Sequence, residues 1–229
     1  MADDAAGPQF ESPVPPGVRA QLLATEHWGL LAARGTAQSE VLSRISIFLT
    51  LVSAGLVSLA LVGQATDFSD AFIACAIVVL AFIELVGALT QIRVLNIGME
   101  DLMYVLAMNR LRGAYAELDP GIEQVFMSSP YDDYVGVQQT YYFLTPKRDL
   151  SQFLGSTMLF IILINSMLLG LLGAAVTVVL SSSIALSIAL GLSIVILFFV
   201  LCFWLGNRHF RRTLAGHQPL FPSPAEPVD

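Results

Sequence analysis

The sequence predicts an all-α polytopic membrane protein, with four transmembrane helices arranged as two hairpins and a small helical cytosolic cap. Three observations carry this reading. The 229 residues are 55% hydrophobic and only 13% charged, about half the charge of an ordinary soluble domain. The apolar residues are blocked rather than periodic, which points to a bilayer and not to an apolar core. The basic residues flank one set of block ends and avoid the other.

The N-terminal residues 1–17 are polar and Pro-rich and read as a disordered tail. They contain no Lys or Arg ahead of the first long apolar run, so no secretory signal is expected and the first span inserts the chain. Residues 18–44 read as a juxtamembrane helix, with Leu22, Leu23, Leu30 and Leu31 set among Arg19, Glu26 and Arg34. Trp28 beside His27 suits an interfacial anchor or a packing contact on the cytosolic helix, and His27 reads as structural. A first span follows over 45–62, with Thr50, Ala54 and Ser58 at four-residue spacing forming a seam for close helix packing.

Residues 63–69 make a turn in which Ser69 or Asp70 caps the next helix. The second span, 71–92, reaches about 33 Å as a helix, enough for a ~30 Å hydrocarbon core. It carries Glu84 near its middle. Helical character continues to about Leu118, where Asp119-Pro120-Gly121 stops it. The aromatic residues of 122–149, among them Phe126, Tyr131 and Tyr142, are costly to leave solvated, so 93–152 is expected to form an ordered cytosolic cap.

From Leu150 to Asn207 there is no charged residue. One helix of that length would extend ~87 Å, so the run must fold back. Ser181-Ser182-Ser183 is the expected break, giving spans over 153–180 and 184–205. Ser166, Gly170 and Ala174 form one small-residue seam, and Ser183, Ser187 and Gly191 another. Residues 206–229 read as a tail that is basic and then Pro-rich and solvated. Cys75 and Cys202 fall near opposite membrane faces and read as small buried hydrophobes.

Arg44, Arg93, Lys147 with Arg148, and Arg208 with Arg211 and Arg212 mark four helix ends. By the positive-inside rule both termini and the 93–152 region face the cytoplasm of a cell inner membrane. The net charge of −7 excludes a basic nucleic-acid surface.

Depth counting places Asn165, Ser53 and Ser193 within a few ångströms of the level of Glu84, so an intramembrane polar layer of these four is expected. Gln91 continues the Glu84 face toward Arg93. Glu84 either carries a proton or cation, or is a protonated group that bonds Asn165 and sets helix register. Asp132 and Asp133 are weak metal candidates in what reads as a solvated turn after Pro130. No phosphate loop, zinc spacing or nucleophile elbow is present, so no metal, no cofactor and no catalytic residue is assigned.

With the stretches 22–35 (LLATEHWGLLAARG), 40–68 (EVLSRISIFLTLVSAGLVSLALVGQATDF) and 108–123 (MNRLRGAYAELDPGIE) in view, the chain resembles a group of actinobacterial small four-span membrane proteins, mostly of unassigned function. A looser likeness is to membrane-hairpin effectors of bacterial nucleotide-signalling defence systems. Both likenesses imply an integral membrane protein and supply no catalytic residues. The leading functional expectation is a non-enzymatic, oligomeric interaction or effector module, with lipid, a second copy and a cytosolic protein at the cap as partners. The runner-up is a small ion or proton channel or transporter using Glu84.

Overall fold

The structure, a computed structural model, describes residues 14–142, 156–181 and 183–224. Its elements are α1 (Pro16–Ala65), α2 (Asp70–Leu118), a 3-10 turn (Pro120–Val125), α3 (Tyr134–Tyr141), α4 (Thr157–Ser181) and α5 (Ile184–Ala215). Among the described residues there is no strand. Four helices, α1, α2, α4 and α5, are long and apolar enough to cross a bilayer. The chain is an all-α, multi-pass integral membrane protein. The expected starts and ends at 1–13, 143–155 and 225–229, and the middle serine of the 181–183 break, lie outside the described residues.

Two boundaries differ from expectation. The juxtamembrane helix and the first span are one helix, α1, beginning at Pro16. No proline interrupts it, and Gly29 and Gly35 cost only ~1 kcal/mol each against Ala. Across the expected boundary, Arg44 Nε bonds Glu40 Oε1 at 2.9 Å, one turn back. At the other end, α5 runs through Arg208, Arg211 and Arg212 to Ala215 instead of stopping near Leu205. The Arg208 guanidinium lies 5.1 Å from the Trp204 ring centre, a cation–π contact that favours continued helix.

The chain divides into two compact units. The membrane unit comprises 38–98 and 149–209; the cap unit comprises 1–37, 99–148 and 210–229. Each has its own packing.

In the membrane unit, the α1–α2 turn uses left-handed backbone at Asp67 (φ 49°) and Phe68 (φ 53°). That geometry is uncommon for Asp and costly for Phe. It lets Phe68 N bond Gly63 O at 2.9 Å and close the end of α1. The Phe68 ring lies against Gly63, where a side chain would collide, and meets Phe72 edge-on at 5.2 Å. In the second hairpin Ser183 caps α5, its Oγ accepting from Leu186 N at 3.4 Å.

The two small-residue seams of α4 and α5 meet each other. A Cβ added at Gly191 would sit 2.9 Å from Gly170 O and 3.1 Å from Ala174 Cβ, and one at Gly170 would strike Val195. Ser166 and Ser187 are buried in the same contact and satisfy their hydroxyls on Ile162 O (2.6 Å) and Ser183 O (2.9 Å). Small residues let the backbones approach, which is where helix association in lipid gains its packing energy.

The cap unit has an apolar core of Leu102, Val105, Leu106 and Met108 from α2 with Val137 from α3. Leu30 of α1 and Phe210 and Leu214 of α5 pack against it. The rim is tied by Arg34 to Asp101 in a two-pronged pair at 2.6 and 3.1 Å, to which Tyr141 donates at 2.6 Å, and by Arg19 to Glu117 at 2.9 Å. Phe210 and Leu214 are the reason the last turns of α5 are ordered: they bury apolar surface that a solvated tail would leave in water.

Leucine at Gly191 is expected to lower stability by about 1–3 kcal/mol through overpacking. Leucine at Gly206, whose Cβ position has nothing within 4 Å, should be neutral. Thermal unfolding of the two variants in the same detergent checks the contrast.

Candidate intramembrane site

Glu84, Gly87 and Gln91 lie on one stripe of α2, three and seven residues apart. Gly87 is the meeting point of three helices. A Cβ there would fall on Asn165 Oδ1 of α4 and within 2.9 Å of the Phe48 ring of α1. Phe48 and Asn165 are both fully buried. The bare backbone lets Asn165 Nδ2 donate to Gly87 O at 2.9 Å and to Gln91 Oε1 at 2.8 Å. Gln91 Nε2 passes the connection on to Cys202 Sγ of α5 at 3.2 Å. One polar chain thus joins α4, α2 and α5 inside an apolar unit.

The sequence-predicted layer is only partly assembled. Asn165 and Gln91 meet. Ser53 and Ser193 do not join them: both are exposed, and Ser193 donates to Ala189 O of its own helix at 2.8 Å. Their depth matches, but depth says nothing about which way a helix face turns. Glu84 makes no hydrogen bond to Asn165, although Asn165 Oδ1 is free to accept one from a protonated carboxyl; the amide hydrogens of Asn165 go to Gly87 O and Gln91 Oε1. Two acceptors are left over: Glu84 Oε2 and Asn165 Oδ1 are buried with no partner among the described residues. In a low-dielectric interior an unmatched acceptor is costly and invites a proton, a water or a cation. Cys202, read from the sequence as a bland hydrophobe, is part of the site through Gln91. A helical count back from Arg208 could have placed its depth, but not its azimuth.

The second sequence candidate, Asp132 with Asp133, is not a solvated turn. Asp132 is 0% exposed. Its carboxylate takes Arg110 Nε at 2.6 Å, Phe221 N at 2.7 Å and Leu220 N at 3.2 Å. Its backbone N donates to Phe221 O at 3.0 Å, and its carbonyl accepts from His217 Nε2 at 2.7 Å. Asp133 caps α3 by accepting from Gly136 N at 2.7 Å, and also accepts from Ser223 N (2.6 Å) and Oγ (2.8 Å). These carboxylates are engaged by protein donors rather than directed at a shared metal ion. Gly136 is required here, since any Cβ would run into Tyr131 O.

The donors come from 217–223, the stretch expected to be a solvated tail. It is instead a strap on the cap unit, with the Phe221 ring over Gly113, where a Cβ would collide. The signal available in the sequence was a Leu-Phe pair set between prolines, apolar content that a solvated segment has no reason to carry.

Comparison with known protein families, with curated proteins and with solved structures finds no match to this chain.

Burial raises the Asp133 carboxyl, but its bonds from Gly136 and Ser223 outweigh this and hold it below the ordinary value. The folded form therefore gains stability above the ordinary carboxylate range and loses it as pH falls through the lowered value. Limited proteolysis is expected to release the strap increasingly as the medium is acidified through that range. Asp133→Asn, lacking this titration, should give a shallower profile than the wild type.

Proposed function

We propose that the protein is a non-enzymatic interaction or effector module of the inner membrane that works as a homo-oligomer. Both termini and the cap unit lie on the cytosolic side, where the cap receives a protein partner. The observation that carries this is the uncovered seam of α1. Of the three small-residue seams, those of α4 and α5 are used against each other. The third forms an open groove of Leu49, Thr50, Ser53, Ala54, Val57 and Ser58. Thr50 bonds its own helix at Ser46 O, 2.9 Å, but Ser53 and Ser58 have no hydrogen-bond partner among the described residues. In hydrocarbon a bare hydroxyl favours a neighbouring helix that supplies an acceptor. A second copy brings the same small residues and acceptors. The orientation rests on the one-sided basic flanks, and the likeness to actinobacterial four-span proteins belongs to the same reading.

A second reading is favoured by the two unmatched acceptors at Glu84 and Asn165: a small channel or transporter in which Glu84 takes up a proton or cation near mid-membrane.

Replacing Ala54 and Ser58 together by Leu should shift the detergent-solubilised protein from oligomer to monomer by light scattering, with helix content unchanged. A wild-type protein that is already monomeric at every concentration would remove the oligomer proposal. For the second reading, proteoliposomes should pass protons or a monovalent cation and lose this with Glu84→Gln. Equal flux from the variant sinks it.

A further inference from the structure

Among the described residues of the cap unit, one half-buried arginine has no carboxylate partner. Arg19, Arg34 and Arg110 each hold a carboxylate, on Glu117, Asp101 and Asp132 respectively. Arg211 and Arg212 are exposed and remain hydrated. Arg112 is different. It is half-buried, and among the described residues its one bond is from Nη1 to Asn109 Oδ1 at 2.7 Å. That oxygen is itself shared, since Thr140 Oγ1 also donates to it at 2.9 Å. A guanidinium has five N–H donors, so among the described residues most of this one has no protein acceptor and no carboxylate pairs with it.

The groups beside it are donors as well. Tyr115 lies three residues on along α2, on the same face as Arg112. The His27 ring of α1 packs against Tyr115 with centroids 6.3 Å apart. Neither the Tyr115 hydroxyl nor the His27 ring has a hydrogen-bond partner among the described residues. Burial lowers the basicity of His27, and the Arg112 charge lowers it further. Burial likewise lowers Arg112, and the neighbouring Arg34 adds to this. Among the described residues no carboxylate bonds this cluster, and Asp101, which lies further up α2, is held by Arg34 and Tyr141.

We propose that His27, Arg112 and Tyr115 form an anion site that takes a phosphoryl group between α1 and α2 of the cap unit. A tetrahedral oxyanion offers the acceptors that all three side chains lack, and a guanidinium fork matches its geometry. The group can be carried by a soluble phosphate compound or by a lipid headgroup; the chemistry is the same. Bound anion favours protonated His27, so affinity rises as pH falls through the imidazole range. The titratable and charged groups facing His27 are Arg112 and Tyr115, and Arg34 in turn faces Arg112.

The test is thermal unfolding of the full chain in a maltoside detergent, titrated with sodium sulfate and with inorganic phosphate against sodium chloride at equal ionic strength. The expected result is a saturable rise in melting temperature with the oxyanions. For sulfate, which stays a dianion throughout, affinity should increase between about pH 7.5 and about pH 5.5. Arg112→Gln keeps a donor for Asn109 and should weaken binding by at least about tenfold. His27→Glu, which supplies the missing carboxylate, should raise the melting temperature without ligand and abolish the response. Adding phosphatidylglycerol to the micelle separates the sources. Protection by free phosphate assigns a soluble ligand; protection by the lipid alone assigns a headgroup. The proposal is overturned if neither oxyanion nor lipid stabilises the wild type beyond chloride, or if both variants respond as the wild type does.

Discussion

The membrane unit depends on how closely α2 and α4 approach at Gly87. In lipid there is little hydrophobic gain from pressing two apolar helices together, so packing contact and hydrogen bonds decide which faces meet. With no side chain at Gly87, Asn165 reaches the α2 backbone and Gln91 at once, and Phe48 of α1 closes over the same spot. The link from Gln91 to Cys202 brings in α5, and the Gly170–Gly191 contact holds α5 to α4. A side chain at Gly87 would separate α2 from both of its neighbours.

The two units treat a buried carboxylate in opposite ways. Asp132 is surrounded by donors: a guanidinium, two backbone N–H groups of the strap and the capping geometry of its neighbour. An anion so matched is a structural centre, and removing the Arg110 guanidinium would leave its charge buried without a counter-charge. Glu84 has no donor on its inner oxygen among the described residues. A carboxyl left in that condition is either kept neutral or given something to hold.

The cationic side of the cap follows the same accounting with the sign reversed. Three arginines are matched one to one with acids. Arg112 and the donors beside it are not. In both units the groups that carry functional interest are those whose hydrogen-bonding requirement the chain itself leaves unmet.

The sequence by itself determined the four apolar helices, the two reversals, the serine break at 181–183 and the seams by which α4 and α5 meet. Those follow from local composition: run length against bilayer thickness, small residues at helical spacing, turn residues between runs. It also counted Asn165 to the depth of Glu84 and put Gln91 on the Glu84 face of α2. Only the tertiary structure decided which faces turn inward. Ser53 and Ser193 were counted to the depth of Glu84 but are exposed, and Cys202, nine residues beyond Ser193 on α5, meets Gln91 without any local sign of it. The strap was missed for a related reason: what orders 217–223 is a buried aspartate far away in the chain, and no local pattern records a long-range partner. Depth along a helix is written in the sequence as a count of residues; rotation about it is set by the neighbours.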